Sequence, residues 1–385
     1  MELGQANGAE KETLEITTDI AMIKLFWIFF NINKTSYLQE TVLLYSLDAL
    51  LSISDHSSFC EFPCLCGCFN LKFKFKFRCR FFLKNKCLYF LLFASLGFIF
   101  ILGKCLDMEA IRNVKQLYVR NSQGIIIGDE SIKMTKHGHQ NALIFIHGFL
   151  NSPWEFKEIM NKMNGHVEAD MYAPLLPYHG RDLSEAAKLN NKDISQFVEK
   201  SLIAWSKRYK SVTVVAHSYG ASILSRLSIQ HRLPKNIHIV LYAPAIHISI
   251  NTQENRIRNT FYSLWRNYCN YALLGCEVSY NSGDAYAKIK IEEERSMLYK
   301  IASSVQQLFA LDLDLRGQLV KMDRPFSIII AKDDNRISYD AIVSECRHIK
   351  QCRLYTFENG RHMLHYGYHQ DQFIDLIQQI NDSYQ

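Results

Sequence analysis

Proline and glycine are scarce in this chain of 385 residues, which contains seven prolines and 17 glycines. That scarcity excludes collagen-like and proline-rich chains. Charge is also limited, because charged residues make up 21% of the sequence and the net charge is only +6. A nucleic-acid-binding protein would cluster basic residues on one face, so no nucleic-acid partner is expected. Apolar residues reach 48%, which is enough to build a large core and excludes disorder of the whole chain.

Phenylalanine and cysteine are unevenly distributed along the chain. The first 107 residues hold 15 of the 24 phenylalanines and seven of the 11 cysteines. We therefore separate a larger domain at 108–385 from the part before it. That part divides into an atypical leader over 1–71 and a basic and apolar segment over 72–107. A second interpretation is that translation starts near Leu71 or Leu83 and that the leader is an over-extended start.

A basic stretch is followed directly by an apolar run. Residues 72–86 carry seven basic side chains and no acidic one, and the fifteen residues at 88–102 carry no charge. This order predicts a secretory signal or a membrane anchor. As a helix the run would be about 22 Å long, short of the roughly 30 Å hydrocarbon core, so a cleaved signal and a tilted anchor both stay open. The predicted location is membrane-attached or exported, or cytoplasmic if the leader is not translated.

Two cysteine patterns in the first part bear on lipidation and on metal binding. Gly103-Lys104-Cys105 follows the apolar run and resembles a bacterial lipoprotein box, although Lys104 departs from that pattern. Lipidation of Cys105 is one hypothesis, and an uncleaved anchor is the other. Four further cysteines stand at 60, 64, 66 and 68, but no second pair follows at the spacing of a zinc site, so no metal is expected.

From residue 114 onward, short apolar runs alternate with amphipathic stretches. Apolar runs bounded by polar residues predict strands, and apolar spacing of three and four predicts helices. Such alternation is typical of an α/β protein with a doubly wound, mostly parallel sheet. One insertion at about 245–322 interrupts it, is helical in pattern and is rich in aromatic residues; we interpret it as a cap or lid. The predicted strands are 114–120, 124–127, 142–146, 167–174, 211–216, 237–242, 326–330 and 352–357, and the main helices are 153–163, 193–209, 220–231, 338–349 and 369–381.

The strand at 211–216 leads straight into Ala216-His217-Ser218-Tyr219-Gly220, and a helical pattern begins at once. A serine on a tight strand-to-helix turn needs small residues two before and two after it, and both are present here. The turn exposes the serine at the strand end and leaves the following N–H free to bind an oxyanion. Ser218 is therefore a candidate nucleophile.

An activated serine needs a base and a carboxylate that orients the base. Two later strands end in candidates: Asp333 and Asp334 follow the strand at 326–330, and His362 follows the strand at 352–357. The carboxyl ends of parallel strands meet at one edge of an open sheet, which is where Ser218 also lies. Asp333 remains an alternative acid and His365 an alternative base.

The motifs together resemble the α/β-hydrolase superfamily, and most closely its carboxylesterase and monoacylglycerol-lipase branch. They are HGF at 147–149, LPYHGRD at 176–182, AHSYG at 216–220, AKDDNRI at 331–337 and GRHML at 360–364. The resemblance implies Ser218 as nucleophile, Asp334 as orienting acid, His362 as base, and the N–H groups of Phe149 and Tyr219 as the oxyanion hole. It implies no cofactor. Ala216, Ala331 and the HGR at 179–181 depart from the branch pattern, which leaves the sub-branch open.

These residues predict a serine hydrolase that cleaves carboxylic esters through an acyl-enzyme. The expected partner is a small-molecule ester or lipid, with membrane contact through 88–102; the oligomeric state is not predicted. A serine peptidase, an acyltransferase and a catalytically silent, membrane-attached binding module stay open as alternatives. Four cysteines of the domain form two close pairs, Cys269 with Cys276 and Cys346 with Cys352, and an exported domain could carry two short disulfides.

Overall fold

The computed structural model describes residues 84–136, 138–248 and 301–384. The leader, Cys269, Cys276 and 249–300 of the predicted cap lie outside the described residues. The chain divides into two compact units, Met1–Phe90 and Leu91–Gln385. The second unit contains the sheet and every predicted catalytic residue.

A seven-stranded sheet forms the centre of this unit, in the order β1-β3-β2-β4-β5-β6-β7. The short strand β1 pairs antiparallel with β3, and all the other pairs are parallel. The strands are β1 Ile132–Met134, β2 Asn141–Ile146, β3 Asp170–Ala173, β4 Ser211–His217, β5 Ile237–Tyr242, β6 Phe326–Ala331 and β7 Cys352–Phe357.

Helices connect the strands. They are α1 Lys84–Leu117, α2 Trp154–Met163, α3 Leu183–Ala186, α4 Asn191–Arg208, α5 Ser218–Ile229, α6 Ala302–Leu315, α7 Tyr339–Arg347 and α8 Gln370–Asp382, with a short 3₁₀ helix at Leu319–Lys321. Asn190 caps α4 by accepting the Lys192 N–H, and Ser338 caps α7 by accepting the Ala341 N–H. Side chains that satisfy the first N–H groups fix where these helices begin.

Both faces of the central strands are buried. Ile144 and Val214 point into a cluster completed by α4, α5, α6 and α7. Phe145 and Val215, the next residues along, belong to a cluster on the opposite face that includes α2 and α8. Alternation along a strand sends successive side chains to opposite faces, so a strand covered on both sides is apolar at every position. This two-sided burial is why the strands are continuous apolar runs, and the predicted doubly wound, mostly parallel sheet is confirmed.

The predicted strands at 114–120 and 124–127 are wrong. Helix α1 continues to Leu117, and the segment after it contributes only an isolated antiparallel bridge between Arg120 and Ile126. No glycine or proline lies between Gly103 and Leu117 to end the helix, and methionine, glutamate, alanine and lysine in that stretch favour it. The first strand of the sheet is β1, whose three residues are too few to give a periodic pattern.

Helix α1 includes the whole predicted apolar run at 88–102, and the predicted boundary at 107/108 also lies inside it. Its later turns pack on the domain: Ala110 is buried with Leu150 and Ile301, and Ile111 packs against the same cluster. Its earlier apolar residues Leu96 and 98–102 are exposed. Within the part of the chain that the structure describes, no helix combines the length and apolar content needed to cross a membrane.

Two further features concern the predicted cap and the cysteines. Helix α6 falls within the range predicted for the cap, and it packs against α4 and α5 of the body. At the start of the same range, residues 245–248 are described, and Ile248 forms an isolated antiparallel bridge with Ile337. Cys346 at the end of α7 and Cys352 at the start of β7 form a disulfide, one of the two predicted pairs.

Candidate active site

The site lies at the carboxyl edge of the sheet, where β2, β4, β6 and β7 end. Ser218 directly follows β4 and is the first residue of α5, with a positive φ of 49°. A non-glycine residue in this region is strained, and strain of this kind is held in place by the surrounding structure. The start of α5 lies close to the end of β2, and a Cβ on Gly220 would come within 2.6 Å of the His147 carbonyl oxygen. The predicted sharp turn is present, with Ala216 and Gly220 on either side.

Three of the predicted residues form a continuous hydrogen-bonded chain. Nε2 of His362 lies 3.0 Å from Oγ of Ser218. Nδ1 of the same ring lies 2.9 Å from Oδ2 and 3.2 Å from Oδ1 of Asp334. Asp334 is held in turn by the N–H groups of Arg336 and Ile337, which donate to its Oδ1 at 2.8 and 2.9 Å. The carboxylate is thus fixed from the protein side while it faces the imidazole.

The surroundings of Asp334 and His362 determine the protonation state of each side chain. Burial opposes ionisation of Asp334, but the His362 ring and the two N–H groups hold the pKa of its carboxyl below the usual value. Burial lowers the pKa of His362, and the Asp334 carboxylate offsets part of that shift. At neutral pH the pair is therefore an ionised carboxylate beside a neutral imidazole. Such an imidazole, protonated on Nδ1, presents a free lone pair at Nε2 to the serine hydroxyl.

The alternative acid and base occupy other places. Oδ1 of Asp333 accepts the Arg361 N–H at 3.0 Å, so this carboxylate faces the backbone of the loop that carries His362. His365 is fully buried, and its Nδ1 lies 3.1 Å from the Tyr242 hydroxyl. The structure brings Asp334 and His362 to Ser218 and leaves their sequence neighbours in the scaffold.

The loop after β2 carries Phe149, whose N–H is one of the two predicted oxyanion donors. The Phe149 ring lies edge-on to the ring of Tyr219, the other predicted donor, with centroids 5.7 Å apart. The two residues therefore come from neighbouring strand ends and meet beside Ser218. Gly148 lets this loop lie close to the end of β4, since a Cβ there would lie 3.1 Å from Nδ1 of His217. The binding of an oxyanion by these N–H groups stays a prediction.

Two buried histidines shape the loops and stay neutral. Nε2 of His147 accepts the Leu176 N–H at 3.0 Å, and its Nδ1 lies 3.0 Å from the Gly148 carbonyl oxygen. Burial holds the pKa of His147 well below its usual value. Burial likewise lowers the pKa of His179 to about 4, and Nδ1 of this ring lies 2.8 Å from the Pro177 carbonyl oxygen. Their role is hydrogen bonding to backbone in the loops around the site.

Sequence analysis missed a second polar group beneath the triad. Glu155, on the first turn of α2, is fully buried, and its Oε1 lies 3.1 Å from Nδ1 of His217. Nε2 of His217 lies 3.2 Å from the His362 carbonyl oxygen, which also accepts the Tyr242 hydroxyl at 3.1 Å. In sequence Glu155 resembles any acidic residue in the first turn of a helix, where the helix dipole favours a negative charge. Only the fold brings it to His217.

Comparison with known proteins identifies the family of the chain. Residues 143–376 match the model of a family described as the alpha/beta hydrolase family. The chain belongs to the alpha/beta hydrolase family. It is accordingly a hydrolase, and the family predicted from the motifs is confirmed. No curated protein matches the chain.

Several solved structures share this fold at low sequence identity. One comes from work on LipS and LipT, two metagenome-derived lipolytic enzymes; it is 12% identical, covers 67% of this chain and 99% of its own, and has a TM-score of 0.55. A monoacylglycerol lipase from Paleococcus ferrophilus is 12% identical over 66% of this chain and 98% of its own, with a TM-score of 0.54. A soluble variant of a monoglyceride lipase from Saccharomyces cerevisiae is 14% identical over 66% and 90%, with a TM-score of 0.55.

Proposed function

We propose that the chain is a serine hydrolase that cleaves carboxylic esters through an acyl-enzyme, with Ser218, His362 and Asp334 as its catalytic triad. The observation that carries the proposal is the hydrogen-bonded chain from Ser218 Oγ through His362 to Asp334, at 3.0 and 2.9 Å. A nucleophile within hydrogen-bond reach of a base, with the base oriented by a third group, is the arrangement that acyl transfer requires.

The reaction follows from these positions. Ser218 Oγ attacks the ester carbonyl carbon while His362 Nε2 takes its proton, and the carbonyl oxygen becomes an oxyanion bound by the N–H groups of Phe149 and Tyr219. His362 then gives the proton to the departing alkoxide, which leaves as an alcohol. Water attacks the acyl-enzyme with His362 again as base, and the carboxylic acid leaves as Ser218 regains its proton. Asp334 keeps the imidazole in the required tautomer throughout.

The decisive experiment is labelling with a fluorophosphonate probe, together with hydrolysis of a p-nitrophenyl acyl ester. We expect the wild type to label and to turn over, and Ser218→Ala to do neither. Ser222 provides a matched control, because it is buried one turn further along α5 and its hydroxyl faces the Ser218 carbonyl oxygen at 3.4 Å. Ser222→Ala should label like the wild type. Equal labelling of wild type and Ser218→Ala would refute the proposal.

Additional substrates separate the alternatives. A serine peptidase would turn over amino-acyl substrates and leave acyl esters nearly untouched. An acyltransferase would direct product toward an added alcohol in preference to water. A silent binding module would show neither labelling nor turnover. The complete chain from serine to carboxylate favours an active enzyme over the silent module, because an inactive copy has no need to keep all three groups in contact.

We further propose that the protein attaches to a lipid surface through the exposed apolar turns of α1. Phe98 is 59% and Ile101 63% exposed, and the whole stretch 98–102 is exposed and apolar. Five consecutive helical residues go round more than one full turn, so every face of the helix is apolar here. A protein groove covers one face, whereas hydrocarbon covers all of them, and the basic stretch just before the run suits anionic headgroups.

The attachment would bring lipid esters near the site. Ala110 and Ile111, two to three turns further along α1, pack in the cluster that contains Leu150 and borders Phe149. The exposed turns and the predicted oxyanion loop are therefore linked through one helix. Cys105 lies between them, and its lipidation, the alternative hypothesis, would attach the domain in place of the apolar turns.

Flotation of the full chain with vesicles of phosphatidylcholine and phosphatidylglycerol tests the attachment. The double variant Phe98→Glu, Ile101→Glu should lose most vesicle binding and keep wild-type turnover of a soluble ester. The matched control is Leu313→Glu, Val320→Glu, which changes two exposed apolar residues elsewhere on the domain and should float like the wild type. Vesicle binding unchanged by the first double variant, or self-association of the wild type without vesicle binding, would exclude the attachment.

A further inference from the structure

Glu155 is a buried carboxylate that takes no part in the triad, yet three polar groups converge on it. The Gly148 N–H donates to its Oε1 at 3.2 Å, and the Asn151 side-chain amide donates to its Oε2. His217 Nδ1 lies 3.1 Å from Oε1. Burial raises the pKa of Glu155, and these three partners act against that shift. A carboxylate is buried in this way only where its oxygens are supplied with hydrogen bonds.

One side of the cluster holds the predicted oxyanion loop. Gly148 and Asn151 lie on either side of Phe149 and Leu150 in the sequence. Glu155 therefore accepts hydrogen bonds from the loop both before and after the predicted donor. Asn151 is fixed in turn, because its Oδ1 accepts the Ser152 N–H at 2.8 Å. The direction of the Phe149 N–H depends on the peptide planes next to it, and one of those neighbouring residues is bonded to Glu155.

The other side of the cluster reaches the base. The His217 ring lies between Glu155 and the carbonyl oxygen of His362, which is 3.2 Å from Nε2. A carbonyl oxygen only accepts, so Nε2 carries a proton. Nδ1 makes the hydrogen bond to Oε1 of Glu155, so the ring joins this carboxylate to the carbonyl. The His217 ring is also stacked on Tyr242 at 4.5 Å, which fixes its plane.

We propose that Glu155 is a positioning residue that fixes the oxyanion loop and the backbone of His362 relative to each other through His217. The inference rests on the proposed function, since it concerns the same reaction. It assigns a role to a group that contacts neither Ser218 nor Asp334. The loop that stabilises the transition state and the residue that moves the proton are thereby attached to a single carboxylate.

Replacement by glutamine keeps the shape of the side chain and removes this bonding. A glutamine has one acceptor oxygen. If that oxygen faces Gly148, the amide nitrogen meets the Asn151 amide, and if it faces Asn151, the Gly148 N–H loses its acceptor. In the first orientation Nδ1 of His217 faces an uncharged amide oxygen in place of a carboxylate, and in the second it faces the amide nitrogen. Aspartate keeps both oxygens and the charge but is one methylene shorter.

The experiment compares steady-state hydrolysis of p-nitrophenyl butyrate by Glu155→Gln, Glu155→Asp and a matched control. The control is Asp170→Asn, because Asp170 is likewise a buried carboxylate, accepts the Lys136 N–H at 2.9 Å and the Tyr209 hydroxyl at 2.5 Å, and lies at the opposite edge of the sheet. Loss of one oxyanion donor typically lowers kcat by about 100-fold or more, so we expect a fall of roughly that size for Glu155→Gln with KM nearly unchanged. Asp170→Asn should lower Tm and leave kcat near the wild-type value.

Partial recovery of kcat in Glu155→Asp, despite a lower Tm, would further support positioning by the carboxylate. The inference is overturned if Glu155→Gln keeps wild-type kcat, or if its kcat falls no further than that of Asp170→Asn at equal loss of Tm. A failure of the proposed function is distinguishable, because then the wild type itself would not turn over the ester above Ser218→Ala.

Discussion

Nδ1 of His362 lies 2.9 Å from Oδ2 of Asp334, while the adjacent Asp333 bonds to the Arg361 N–H. Asn at 334 would present an amide or a single oxygen to the ring and permit the wrong tautomer, a change that costs about 10⁴-fold in kcat in a serine protease with a Ser-His-Asp triad. We expect Asp334→Asn to show a loss of that order in ester hydrolysis. Asp333→Asn is the matched control, since an asparagine there can still accept the Arg361 N–H. A larger loss at 333 than at 334 would reverse the assignment.

The pH dependence of turnover should follow His362. The base is active when neutral, and burial places its pKa below the usual 6.5. We therefore expect kcat/KM for an uncharged ester to rise with pH along a limb whose midpoint lies below 6.5, and to be flat from there to pH 8. A pH profile on the wild type measures this directly. A midpoint above 6.5 would show that the imidazolium is stabilised in the folded protein.

The free energy of unfolding should also fall at acid pH, because His179 is buried as a neutral imidazole. Burial lowers its pKa from 6.5 to about 4, so the unfolded chain binds a proton at this residue before the folded protein does. The stabilisation is complete above pH 6.5 and is lost as the pH falls toward 4; linkage makes it on the order of 3 kcal/mol. Urea unfolding of wild type and His179→Gln at pH 7 and pH 4.5 tests this, with each protein's pH 7 value as its baseline. Equal pH dependence in the two proteins would count against His179.

Gly220 should tolerate no side chain. A Cβ there would lie 2.6 Å from the His147 carbonyl oxygen and 2.9 Å from that of Ile146, so α5 would have to move away from β2 and carry Ser218 with it. Overpacking of this kind typically costs about 1–3 kcal/mol, and we expect Gly220→Ala to lose both stability and turnover. Gly97→Ala, in α1 where the new Cβ would enter open space, should keep wild-type turnover and unfold at an equal or higher temperature, since alanine favours a helix. Thermal unfolding and ester hydrolysis of the two variants test this prediction, and wild-type values for Gly220→Ala would contradict it.

The central fold could be predicted because parallel strands covered on both faces are apolar at every position. The range 352–357 predicted for β7 coincides with the strand itself, and β4, β5 and β6 differ from prediction by at most one residue. The prediction of the first strands, at the β1 edge of the sheet, was wrong for two reasons. The alternation at 114–120 resembles a strand but lies at the end of a long helix, and β1 has too few residues for any period.

Part of the candidate site could likewise be predicted from the sequence, and part could not. Ser218, Asp334 and His362 each follow a strand with a recognisable pattern, so their meeting at one edge follows from topology alone. Glu155 and His217 meet through helix packing, because α2 turns the start of its buried face toward the end of β4. No spacing in the sequence encodes that contact, since the two residues are 62 positions apart and belong to separate elements.

Strand β7 is one edge of the sheet and is only partly buried. Open edges carry unpaired backbone groups and can recruit a strand from another molecule, which is a route to aggregation. The disulfide ties the first residue of β7 to α7, and Lys332 pairs with Glu358 just past its last residue at 2.6 Å. The disulfide thus joins the start of β7 to the helix before it, and the ion pair joins the ends of β6 and β7. We expect reduction of the bond to loosen the start of β7 and to leave this edge more open to pairing with another chain.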